Sequence, residues 1–231
     1  MSDGAPAGAF RRYGLFFLIA LALGFAPGPD ILFVFAQSLA HGMLAGVYVT
    51  LGLCTGICLH VTLAAFGAGT FLKCHPRAYK AVMLFGAFYL ACLGWGALQG
   101  AGVVAVDGVA PSALPPLRLY LRGIVMNVSN PKVILFFLSF LPQFMSPEKG
   151  HLVRQFMTLG GVFILATLLV FNIVALCGGG IARALALCPS APRFLQYFTA
   201  VVLVGLSAWI AWSALRTEKT RKSETDSPVS V

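Results

Sequence analysis

Six stretches of this chain, roughly residues 13–39, 43–70, 79–99, 121–142, 152–177 and 195–215, are apolar for the ~20 residues that a bilayer core demands of a helix. Nothing constrains the fold more tightly. Lipid offers no hydrogen bonds, so backbone crossing it must form helices or a closed barrel. These runs are continuous and do not alternate, which selects helices. Composition agrees: 59% of the 231 residues are hydrophobic and 10% charged, against about 25% charged in ordinary globular domains. The sequence therefore predicts an all-α integral membrane protein with six transmembrane helices in one transporter-like domain over 1–215. Residues 100–120, rich in Gly, Ala and Pro, read as a connecting loop, and 216–231 as a disordered, solvated tail. Arg11 and Arg12 before an apolar run imitate a signal peptide. The run continues to Leu39, too far for a signal core.

The net charge of +9 does not indicate nucleic acid, because the basic residues lie between apolar runs and not on one soluble face. Arg11, Arg12, Lys73, Arg77, Lys80, Lys149, Arg154 and the basic cluster from Arg216 to Lys222 fall on one side of the membrane. Arg118, Arg122, Arg183 and Arg193 fall on the other. The positive-inside rule then puts both termini in the cytoplasm. The six cysteines contain no C-x-x-C. Cys54 and Cys58 read as small apolar fillers, neither a disulfide framework nor a metal site.

The first run is interrupted by Phe25-Ala-Pro-Gly-Pro-Asp-Ile31. Pro27 and Pro29 donate no backbone hydrogen bond, and Gly28 permits unusual backbone angles. Such a break near mid-span survives only where protein or a watery cavity covers it. The fourth run carries a matching interruption, Asn127-Val-Ser-Asn-Pro-Lys-Val133. There Asn130 suits a cap and Pro131 the opening of a new half-helix, as Pro29 does in the first. Pro29 and Pro131 lie 102 residues apart, and each precedes a charged residue and an apolar run. The chain thus reads as two repeats, about 13–99 and 121–215. Three spans per repeat is an odd number, so the second inserts upside down. Paired interruptions in two such halves point to a transporter's site.

Asp30 is the only acid inside any run. Either it sits in a half-helix first turn because the dipole favours it there, or it holds a proton or an ammonium group. Lys132 occupies the equivalent first turn, where the dipole opposes a cation. It must snorkel, meet an anion, or pair with Asp30 across the two breaks. In the second run Gly42, Ala45, Gly46, Gly52, Gly56 and His60 share one helical stripe. Small residues there allow close helix packing. His60 ends the stripe, either packed and satisfied or part of a proton relay. Asn172 is a weaker case of the same kind.

Together, Pro27-Gly28-Pro29-Asp30, the spaced glycines Gly42, Gly46, Gly52 and Gly56 with His60, Asn130-Pro131-Lys132, and Leu141-Pro142-Gln143-Phe144 resemble the LysE/RhtB family of amino-acid exporters, from about 13 to 215. The resemblance implies a six-span secondary exporter in the bacterial cytoplasmic membrane. It would move amino acids or their derivatives outward, coupled to proton entry and assembled as a homo-oligomer. On this reading the substrate lies between the two broken helices, with Asp30 holding its ammonium group or the coupled proton and Lys132 balancing the charge. No motif calls for a cofactor. Two rival readings are an exporter of a small cation or metal, which lacks a convincing ligand set, and a thiol–disulfide electron carrier, which lacks paired cysteines at the right spacing.

Overall fold

The computed structural model describes residues 5–68, 76–99, 114–146, 150–187 and 190–225. No strand occurs among them. The helices are α1 (Ala5–Phe25), α2 (Pro29–His41), α3 (Met43–Leu63), α4 (Pro76–Leu98), α5 (Pro116–Val128), α6 (Pro131–Leu135), α7 (Leu152–Leu187) and α8 (Ala191–Thr225). Four stretches are long and apolar enough to cross a membrane alone: Met43–Phe66, Arg77–Leu98, Leu152–Gly178 and Arg193–Arg216. Two bent pairs bring the candidates to the expected six where each pair counts as one span. Arg11–Phe25 and Pro29–His41 meet at 61°, and Pro116–Val128 and Pro131–Phe144 meet at 49°. Both bends fall at the proline motifs.

The two broken spans are not equivalent after their breaks. α2 is a regular helix of 13 residues. α6 gives way after five residues to a π-helical turn, Phe136–Phe140, and a 3₁₀ turn, Leu141–Phe144. Pro142 explains the change, since it cannot return a hydrogen bond to the Leu138 carbonyl. A second π-helical turn, Ala64–Ala68, prolongs α3. α8 runs on past its apolar span to Thr225, so 216–225, expected to be disordered, is helical in backbone. Residues 226–231, the 100–113 part of the expected loop, Cys74 and Cys188 lie outside the described residues.

Large apolar side chains cover the outside: Leu63, Phe85, Phe88, Val125, Phe194 and Val201 are all more than half exposed. This inverts the soluble pattern and suits hydrocarbon surroundings. Two apolar cores flank the breaks. One gathers Phe16, Phe136, Phe137, Phe140, Phe144, Phe156 and Phe163 around the second break. The other joins Val34, Val49, Leu53, Leu119, Val170 and Val174 from α2, α3, α5 and α7.

The glycine stripe of α3 divides into two uses. A Cβ at Gly52 would collide with the Tyr120 carbonyl, and one at Gly56 would lie 2.7 Å from the Asn127 Cβ. Gly123 of α5 approaches in return, so α3 and α5 cross backbone to backbone. Gly46 similarly admits Ser38 and Ala175. Gly42 is different. It is exposed, a Cβ there would touch nothing within 4 Å, and its φ of 84° turns the chain between α2 and α3. The expectation that Gly42 serves packing is therefore corrected: it serves the left-handed turn. Gly52→Val is expected to destabilise the protein by about 1–3 kcal/mol, the scale of overpacking. Thermal unfolding in detergent measures this, with Gly161→Ala, where a Cβ meets nothing within 4 Å, as the unchanged control.

Candidate functional site

Each proline in the two motifs deprives a carbonyl four residues earlier of its helical donor: Leu23 for Pro27, Phe25 for Pro29, Asn127 for Pro131. Such carbonyls need other partners at membrane depth. Lys132 Nζ donates to the Ala26 carbonyl at 3.2 Å and to the Leu23 carbonyl at 3.5 Å. The Asn127 carbonyl accepts from the Asn130 backbone N–H at 3.1 Å and lies 3.2 Å from His60 Nε2. A carbonyl only accepts, so this contact requires the proton on Nε2. The His60 ring also stacks on Phe137, with centroids 5.8 Å apart. Side chains from elsewhere in the fold thus repair both breaks.

This placement resolves the problem Lys132 posed. Its α-carbon lies in a first turn, which disfavours a cation, but its side chain crosses to the C-terminal end of α1. There the exposed carbonyls and the dipole both favour positive charge. Lys132 is buried and does not snorkel. Nor does it close a direct ion pair with Asp30: the ammonium group goes to carbonyls, and the two charges act on each other without contact. Gly28 also has a different purpose from the one its flexibility suggested. Its φ of −169° is ordinary extended backbone. What it supplies is room, because a Cβ there would lie 3.1 Å from Lys132 Nζ.

Asn130 joins the two halves. Its Oδ1 accepts from the Lys132 backbone N–H at 3.0 Å, capping α6, and its Nδ2 donates to Asp30 Oδ2 at 2.9 Å. Asp30 follows Pro29 in the first turn of α2 and is 4% exposed. Asn127, equally buried, stands near the same carboxylate. Two acceptor atoms in this cluster, Asp30 Oδ1 and Asn127 Oδ1, have no hydrogen-bond partner among the described residues. The α2 end is likewise open, because its cap residue, Gly28, has no side chain to occupy the first-turn N–H groups.

The structure thus brings together Asp30, Asn130, Lys132, Gly28 and the three prolines, with His60 one carbonyl away. It adds Asn127, which sequence reasoning missed. The signal was there, four residues before Pro131, where a helical carbonyl must lose its donor. Gln37 was missed too. It is fully buried on the same face of α2 as Asp30, two turns on, with Oε1 unpartnered. Asn172 merely donates back to the Leu168 carbonyl of its own helix. No group of three or more His, Cys, Asp or Glu residues arranged to hold a metal occurs among the described residues.

A family model described as LysE type translocator matches residues 21–214, which include both breaks and every residue of the cluster. The chain belongs to the LysE type translocator family. This LysE type translocator is a multi-pass membrane protein. It is 32% identical over 177 residues to the leucine efflux protein of Salmonella typhimurium (strain LT2), covering 73% of the chain and 78% of that relative. It is 30% identical over 163 residues to the homoserine/homoserine lactone efflux protein of the same organism, covering 71% and 78%. No solved structure matches the chain.

Proposed function

We propose that the protein exports amino acids or close derivatives across the bacterial cytoplasmic membrane as a secondary transporter coupled to proton entry, with both termini in the cytoplasm. The observation that carries this reading is the pair of buried, unpartnered acceptors, Asp30 Oδ1 and Asn127 Oδ1, at the meeting of two broken spans. A substrate ammonium group brings three donors to such a place. The uncapped start of α2 offers N–H groups to the carboxylate, close to where Lys132 Nζ passes Gly28. Asp30 would exchange the ammonium group for a proton between the two faces, and a proton entering on Asp30 would expel the substrate. The relatives named for leucine and homoserine efflux support the substrate class.

The mechanism rests on two inverted three-span repeats. The packing supports them: α1 lies on α7 as α5 lies on α3, and α3–α7 and α4–α8 are pairs that exchanging the repeats would preserve. Alternating access is then gating of one repeat against the other around the breaks. The expected homo-oligomer belongs to this proposal as well.

Proteoliposomes loaded with leucine, homoserine, homoserine lactone and a cationic amino acid test the reading directly. Expected is release of at least one of them, accelerated several-fold by an imposed pH gradient and lowered about 100-fold or more for that substrate by Asp30→Asn. Release of none of these compounds would overturn the substrate class. Release indifferent to the pH gradient would remove proton coupling.

A further inference from the structure

Between α2 and α5 runs an open groove of about 450 Å³, lined by Phe33, Arg118, Leu121, Arg122, Val125 and Met126. Its walls are almost wholly apolar. Leu121 is 49% and Val125 65% exposed, so this side of α5 faces outward from a spanning helix into hydrocarbon. Arg118 and Arg122 stand four residues apart on the same helix, both exposed, within its first two turns. Neither guanidinium makes a hydrogen bond or ion pair with another described residue. Long basic side chains near a span's end reach the headgroup level while their stems stay in the apolar layer.

We propose that this groove binds an anionic phospholipid, its phosphate held between the Arg118 and Arg122 guanidiniums and an acyl chain laid over Leu121, Val125, Met126 and Phe33. Guanidinium is the group best matched to phosphate, and basic pockets between spanning helices take anionic headgroups. The groove opens sideways and offers no acceptors for an ammonium group, so it suits an acyl chain better than a zwitterion in transit. It also runs between the two broken spans. Phe33 lies one turn beyond Asp30, and Met126 precedes Asn127. A lipid seated there would brace the two broken spans against each other. The inference does not depend on which substrate is carried.

Purified full-length protein in detergent is titrated with dioleoyl phosphatidylglycerol or dioleoyl phosphatidylcholine, and bound lipid is counted by native mass spectrometry. The wild type is expected to hold one phosphatidylglycerol about 30-fold more tightly than phosphatidylcholine, whose choline cation cancels its phosphate charge; that is the scale of two basic residues facing a net negative headgroup. Arg118→Gln/Arg122→Gln should remove that preference, and Arg77→Gln should keep it. Val125→Trp fills the groove while leaving both arginines, and should lose the bound lipid; it carries the test if the double variant fails to fold. Equal binding of the two lipids, or a preference that survives the double substitution, overturns the proposal. So does displacement of phosphatidylglycerol by inorganic phosphate, which would mark a simple anion site, or by leucine, which would mark a substrate path.

Discussion

Asp30→Asn is expected to lower export about 100-fold or more while leaving the protein folded. The side chain keeps its shape, and its amide oxygen can still accept from Asn130 Nδ2, so the 2.9 Å link between the two half-helices survives. What disappears is the negative charge beside the unpartnered Oδ1. A hydrogen bond to a charged group contributes up to about 3 kcal/mol, which as lost binding is roughly two orders of magnitude. Efflux from proteoliposomes and thermal unfolding of the same preparation are the two measurements. Loss of export with an unfolding midpoint within a few degrees of wild type is the expected result. Full export by Asp30→Asn would reduce the carboxylate to an ornament of the α2 first turn. Asn127→Ala offers a milder companion, since it removes a neutral acceptor. A fall of about 10-fold is expected there, the scale of one neutral hydrogen bond.

Lys132→Met should act first on stability. Methionine fills much of the same volume without donors. The Leu23 and Ala26 carbonyls at the end of α1 then lose their partner, and Asp30 loses the cation that balances it. Each orphaned buried carbonyl costs about 1–3 kcal/mol, and removing one member of a buried charge couple about 3–5 kcal/mol. A destabilisation of at least about 3 kcal/mol follows. The double variant Asp30→Asn/Lys132→Met removes both charges together. It should recover part of the lost stability and none of the lost export, and the coupling is read from the four-way cycle. Additive losses would mean that the two charges do not act on each other. Recovered export in the double variant would overturn a transport role for either.

The position of each break was legible in the sequence because proline acts locally. A residue without an N–H orphans a carbonyl four positions back wherever it sits in a helix, so Pro27, Pro29 and Pro131 mark Leu23, Phe25 and Asn127 before any folding is considered. The cap role of Asn130 was legible for the same reason, being a contact two residues long. The partners of those carbonyls were not legible. His60 is 67 residues from Asn127 and Lys132 is 106 from Ala26, and no local rule joins them. Local rules also misled. The dipole of its own helix opposes Lys132 and leaves snorkelling, an anion or Asp30 as its outlets, whereas its side chain belongs to the end of another helix. Helical spacing groups Gly42 with Gly52 and Gly56, although the helix begins after Gly42 and the chain needs a positive φ there.

By itself the sequence determined that this chain lives in a membrane, that it carries six apolar runs, that two of them break, and which family it resembles. Those follow from hydropathy and from residues that constrain their own backbone, both properties of short stretches. Only the tertiary structure decided that Lys132 holds the end of α1 and makes no contact with Asp30. It alone decided that Gly28 provides room for an ammonium group, that Asn127 joins the cluster, and that two buried oxygens there are left without donors. These depend on which distant side chain comes within about 3 Å of a given oxygen. That distance is set by the packing of α3 on α5 and α1 on α7, and it has no counterpart in a linear pattern.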